Sequence, residues 1–420
     1  MFDRIFVPEQ LREAVSDRAW LQALLDAERA LAAAEARAGV IPVEAAEAIA
    51  AACQADRFDL AEVAEQGRAP GNPVEPLVRA LGEAVEEDAA RYVHWGATSQ
   101  DMLDTAAMLV SRAALDLILE QMDRVATQCA RLTDAHRSTP MVGRTLLQHA
   151  VPITFGLKAA GWLVGVLDSR RALVRARESL AVQLGGAAGT LAPLGDDGLE
   201  VARLFAEELA LQEPVIPWHT NRVRVAELGA ALAVAAGAAA KIGLDVALMS
   251  QAEIGEVAEA EGGASSTMPQ KRNPVGSALA IACARQANAH ASTLIAALPQ
   301  EHERAVGAWH SEWPALTGAL AYAGGAADAA LRALEGLEVH AERMRANLEL
   351  SGGAVMAEQA SFLLAERVGR REAHERVAQA VGSGRPLAEE LDLDLEPTSY
   401  LGSADAFVDR ALAAYRADLG

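Results

Sequence analysis

The densest run of chemistry-bearing residues is GGASSTMPQKRNPVGS, residues 262–277. Two glycines precede Ser265 and Ser266, and Met268, Lys271, Arg272, Asn273 and Pro274 follow. Proline suits a first helical position, where no backbone donor is needed, so Asn273 falls at the N-cap. The unpaired N–H groups beyond it favour an anion. A carboxylate could sit there beside Lys271, with a serine closing over it. The same residues would equally make a well-capped Gly/Ser/Pro connector.

Two further runs have a similar character. HWGATSQDMLDTA (94–106) packs His94, Thr98, Ser99, Gln100 and Asp101 before an apolar helical pattern. Such hydroxyls and amides can cap a helix or bind a carboxylate. GRTLLQHAVPITFGLKAAGW (143–162) holds Arg144, Thr145, Gln148, His149 and Lys158. Arg144 could fork onto a carboxylate. His149 is a proton donor or a satisfied core histidine. WHTNRVR (218–224) and HERAVGAWHSEW (302–313), with His302, Arg304, Trp309, His310 and Trp313, would suit a planar conjugated polyacid, or else a capped helix with a solvated face.

Long helices must position these runs. From Leu115 the apolar residues fall at Leu115, Ile118, Met122, Val125, Cys129 and Leu132, alternating steps of three and four, which is a heptad seam. Pro152 predicts the start of a second helix reaching about Leu180, a third runs from about Arg222 to Glu259, a fourth from Pro274 to Pro299, and a fifth from Trp313 to Leu348. The stretch 228–240 is apolar on every face, so other helices must surround it, which predicts a helical core shared between subunits. A Gly-rich break occupies 184–198. The fold class is all-α in three helical domains: 1–105, a central bundle 106–348 and a small C-terminal domain 349–420.

Composition narrows the function. The net charge is −21 with a pI near 4.9, and no basic cluster offers a nucleic-acid surface. An anionic substrate must therefore be held by a few local Arg and Lys residues. Cys53, Cys129 and Cys283 are too scattered for a disulfide framework, and no His/Cys cluster suggests a metal. The charged first residues lack a signal-peptide core, and 228–240 is shorter than a membrane span, so a cytoplasmic protein without membrane contact is expected.

In type, order and spacing the three runs resemble the signature regions of the fumarase/aspartase superfamily, and residues 347–380 resemble the C-terminal domain of its adenylosuccinate-lyase-like branch. The resemblance implies a central five-helix bundle joining three others in a homotetramer, with active sites shared between subunits and no cofactor. It makes Ser265 the acid or base acting beside a substrate carboxylate, with Lys271 and loop N–H groups stabilising its alkoxide. The substrate is then a small di- or tricarboxylate. Thr98, Ser99, Arg144, Lys271, Asn273 and Arg304 would hold its carboxylates and Gln148 another group, while His94, Gln100, Ser266 and Met268 complete the expected contacts. His149 ranks before His94 and His310 as the second acid or base. Relatives in the adenylosuccinate branch carry histidine directly after Gly-Arg-Thr; here that residue is Leu146, and Gln270 stands where a histidine is common before the lysine. The cycloisomerase branch, which HWGATSQD, GRTLLQHA, PWHTNR and Trp309-His310-Ser311-Glu312-Trp313 resemble, also lacks the first of these histidines. Its chemistry adds a substrate carboxylate across the substrate's own double bond. Elimination of a nitrogen group from a substituted succinate is the alternative.

Overall fold

The computed structural model describes residues 2–260, 263, 264, 268 and 271–420. Five long helices dominate it: Ser99–Ala135, Phe155–Glu178, Val223–Met249, Val275–Ala296 and Ala308–Leu334. The all-α class and the five helices match expectation. Every residue of the heptad seam, Leu115 to Leu132, is at most 1% exposed. The Val223–Met249 helix is long and apolar enough to cross a membrane, yet half of its most apolar stretch is buried within the chain. The chain divides into two compact units, residues 1–120, 170–237 and 282–328, and residues 121–169, 238–281 and 329–420.

In the first unit the Asp17–Arg37 helix begins at Ser16, whose Oγ accepts from Ala19 N at 3.2 Å. Its buried stripe, Leu21, Leu24, Leu25, Leu31, contains two acids, Glu28 and Glu35, two turns apart. Gly325 lets the N-terminal segment lie on the Ala308–Leu334 helix, since a Cβ there would come within 2.3 Å of Phe6 O.

Glu35 is fully buried and neither carboxyl oxygen has a hydrogen-bond partner among the described residues. Burial, followed by the charge of Glu28, pushes its carboxyl up to about 9. The folded state therefore keeps a proton that the unfolded state releases near the usual glutamate value. Stability is full below that value and falls as pH rises toward 9, by about 1.4 kcal/mol per unit. On this basis Glu35→Leu should stabilise the chain at pH 8 by on the order of 3 kcal/mol, with the gain shrinking toward pH 5. Urea midpoints at the two pH values test it. A gain independent of pH would refute this account of Glu35.

In the second unit an antiparallel hairpin pairs Pro140–Thr145 with Gln148–Thr154. This corrects the expected helix start at Pro152, which instead sits opposite Val142 in the ribbon, and the helix begins at Phe155. Val151, Ile153 and Thr154 favour extended backbone, and a two-stranded ribbon has edges that spare proline's missing donor. The third long helix ends at Met249, before the expected Glu259, because the chain turns through Gly255 (φ +62°) and Glu256 N returns to Met249 O. The fifth begins at Ala308 with Pro314 inside it and stops at Leu334, ahead of Gly336 (φ +71°); Ala341–Glu349 is a separate helix. Helices Ala357–Val368 and Arg370–Gly382 pack through Ala360, Leu364, Ala373 and Val377.

Candidate active site

The first unit carries His94, Thr98, Ser99, Gln100 and Arg304. Thr98 precedes the Ser99–Ala135 helix, and its N–H donates to Asp101 Oδ2 at 3.0 Å, the reciprocal half of a capping box. The Thr98 and Ser99 hydroxyls are half-buried and bond to no described residue, so they remain available to a ligand. Asp101 is completely buried and also accepts from Gly185 N (3.0 Å), Gly186 N (2.8 Å) and His219 Nε2 (2.7 Å). It thereby ties the Gly-rich break and the PWHT segment to the helix start. Gly186 has φ +67°, and a Cβ there would press within 2.9 Å of Gly96 O, so the break is a built loop rather than a flexible spacer.

Gln100 is the most enclosed of the candidate residues in this unit. It is fully buried, and its Nε2 donates to His219 O (2.9 Å) and Asp104 Oδ2 (3.2 Å). Those acceptors orient its Oε1 to take the Arg304 Nε donation at 3.1 Å. These bonds fix the Gln100 amide beneath Arg304, whose Nη2 is buried without a partner among the described residues. Asp104 in turn is forked by Arg222 at 2.7 and 2.9 Å and accepts from Trp309 Nε1 at 3.0 Å. Arg222 also bonds Glu312, at 2.5 Å for the shortest contact. Burial pushes the Glu312 carboxyl up, and Arg222 opposes it.

The second unit carries Arg144, Gln148, His149, Met268, Lys271 and Asn273. Gln148 and His149 lie exposed on the hairpin, beside Leu146 (φ +49°, 97% exposed). Arg144 is half-buried and forks onto the fully buried Glu256, at 2.9 and 2.6 Å. Asn347 Nδ2 holds the same carboxylate at 2.9 Å. The carboxylate fork expected of Arg144 is thus engaged by the chain's own acid. Burial draws the Lys158 ammonium down, against the pull of Asp245 and, more weakly, Glu256.

The anion site expected at the start of the fourth long helix is also occupied. Helix Val275–Ala296 begins after Pro274, so Asn273 is not the N-cap; it pairs with Gly263 in a short ribbon. The buried Glu259 takes Gly276 N (2.9 Å), Ser277 N (2.8 Å) and Ser277 Oγ (2.6 Å). The protein's own carboxylate neutralises that helix terminus. Lys271 and Met268 are exposed. Ser265 and Ser266 lie outside the described residues. Asp101, Asp104, Glu256 and Glu259 were not read as site residues: their partners are distant in sequence, and only the spacing of Asp101 from Thr98 advertised a role.

Comparison with known proteins gives this geometry a context. The family described as lyase matches residues 7–288. A 3-carboxy-cis,cis-muconate cycloisomerase of Pseudomonas aeruginosa is 47% identical, covering 99% of this chain and 96% of that protein. A nitrosuccinate lyase of Streptomyces davaonensis is 45% identical, covering 95% and 91%. The crystal structure of the 3-carboxy-cis,cis-muconate lactonizing enzyme from Pseudomonas putida superposes with a TM-score of 0.93 at 43% identity, covering 100% of both chains. With a family match across the signature regions and relatives this similar along nearly the whole length, the chain belongs to the lyase family of the fumarase/aspartase superfamily.

Proposed function

We propose that this chain catalyses the reversible cyclisation of 3-carboxy-cis,cis-muconate to a carboxymuconolactone, in the cytoplasm and as a homotetramer. The observation that carries the reading is 47% identity across 99% of the chain to a protein named for that reaction. One carboxylate oxygen bonds to a carbon of the substrate's own double bond. The electron pair moves onto the neighbouring carboxylate, giving a doubly charged aci-carboxylate, and a proton then arrives on the adjacent carbon. Ser265 delivers that proton, and removes it in reverse, with Lys271 stabilising the alkoxide. His149 is the second acid or base, Arg304, Thr98, Ser99 and Asn273 hold carboxylates, and Arg144, whose fork Glu256 engages, offers one only its remaining N–H groups. Leu146 fits this chemistry, because cyclisation expels no external group and needs no imidazole there to protonate one. On the Val223–Met249 helix, Val223, Val234 and Leu244 stay 52%, 56% and 47% exposed, which supports a helical core completed by other subunits.

The test is an ultraviolet assay with purified protein and 3-carboxy-cis,cis-muconate. Rapid loss of diene absorbance is the expected result. No loss from folded protein, with fumarate released from nitrosuccinate instead, would replace cyclisation by elimination.

A further inference from the structure

Glu28 belongs to the Asp17–Arg37 helix, sixty-six residues before His94, and is 2% exposed. Its Oε1 lies 2.6 Å from His94 Nδ1. His94 adopts φ +59°, a conformation that costs a side-chain-bearing residue about 1 kcal/mol and persists only when its surroundings hold it. Gly96 follows at φ +70°, so the backbone reverses around the histidine and turns its ring toward the buried acid. An ionised carboxylate can only accept, so Nδ1 must carry hydrogen and Nε2 is the ring's other end. The ring is 16% exposed, which leaves it a route to a ligand.

We propose that Glu28 is a positioning residue: it grips His94 through Nδ1 and aims Nε2 at a carboxylate of the substrate, to which the ring donates. The identity of that anion rests on the proposed function; the grip itself does not. In a chain of net charge −21 an ordinary histidine near neutrality would be largely uncharged, and its Nε2 lone pair would repel a carboxylate. The two charges acting on the ring from its packed neighbours are Glu28, from the N-terminal helix, and Asp101, from the start of the Ser99–Ala135 helix. Burial alone pulls the imidazolium down. The charge and hydrogen bond of Glu28, followed by Asp101, outweigh it, and the net direction is upward. Neither acid supplies the outward donor; His94 does.

The test measures binding of tricarballylate, a simple tricarboxylate, by calorimetry at pH 8 in two buffers of different ionisation heat, which yields the protons taken up on binding. The parent should take up fewer protons than a variant in which the upward pull of Glu28 on the His94 ring is lost. Glu28→Gln keeps an accepting oxygen but removes the charge. It should bind about tenfold more weakly and take up measurably more protons than the parent. His94→Gln should weaken binding, and adding Glu28→Gln to it should change little further. If Glu28→Gln matches the parent in affinity and uptake, or if the two substitutions are additive, the proposal is wrong. Should Glu28→Gln fail to fold, the parent against His94→Gln decides: parental affinity must fall with rising pH through one ionisation above the ordinary histidine value, and His94→Gln must lack it. Tricarballylate binding to neither protein would overturn the donor role. Binding with normal Glu28 coupling but no turnover of 3-carboxy-cis,cis-muconate would overturn only the substrate assignment.

Discussion

Arg222→Met is expected to destabilise the fold by about 3–5 kcal/mol, the cost of stranding buried charges when their partner is removed. Arg222 is 2% exposed and makes five hydrogen bonds: to Asp104 from Nη1 and Nη2, and to Glu312 from Nε twice and from Nη2. Methionine fills much of the volume and supplies none of the donors. Asp104 retains Trp309 Nε1 and the amides of Gln100 and Gln183, so it keeps polar partners but no cation. Glu312 retains only Gln300 Nε2 among the described residues. Two like charges then face each other away from water, and the cheapest relief is to protonate Glu312, whose carboxyl burial already pushes up. The deficit should therefore be largest above pH 7 and shrink as pH falls through the carboxylate range. Chemical denaturation at pH 5 and pH 8 reads both the size and the trend. Lysine at 222 should recover part of the loss by restoring charge without the fork. A deficit under 1 kcal/mol at pH 8 would mean that the two acids find water or other donors, and the cluster would not be the rigid base beneath Gln100 and Arg304 that its geometry describes.

That cluster marks where sequence reading stops. The helices were legible because their signal is local: Leu115, Ile118 and Met122 repeat at the period of a buried seam, and their burial follows from the repeat alone. The hairpin was not, because Pro152 is compatible with both a helix start and a ribbon edge, and only the pairing of Val142 with Pro152 decides between them. The candidate site residues stood out as polar types at helix starts, but their supports did not. Arg222 meets Asp104 across 118 residues and Arg144 meets Glu256 across 112. Nothing near either acid announces its partner. Two positions were legible in type but not in their surroundings, for the same reason. Gln100 is polar in a polar run yet faces inward, and the helix after Asn273 offers an anion site that Glu259, from another segment, already fills. An unsatisfied helix terminus predicts that some carboxylate will come, and leaves open whether the protein or the substrate brings it.

Ser265→Ala should leave folding and assembly as they are and lower turnover of 3-carboxy-cis,cis-muconate by about 10²–10⁴-fold, the range for loss of one positioned acid or base. The proposed mechanism puts the proton on this hydroxyl, and the chemistry makes the demand severe. Serine is a weak acid, so its alkoxide forms only where a cation and preorganised N–H donors wait for it, and Lys271 is the cation proposed here. Removing the hydroxyl removes the proton carrier but none of the carboxylate contacts. The loss should therefore fall on kcat, with KM changed by less than about threefold. Lys271→Ala should differ in kind, raising KM as well as lowering kcat, because the proposed mechanism has the same ammonium meet bound substrate and alkoxide. The diene assay separates the two patterns. Turnover of the alanine variant within tenfold of the parent would move the proton to another group, and His149, exposed on the 140–154 hairpin, would be the next residue to replace. A large fall in kcat in both the Ser265 and His149 variants, with each retaining substrate affinity, would assign the two proton transfers to the two residues.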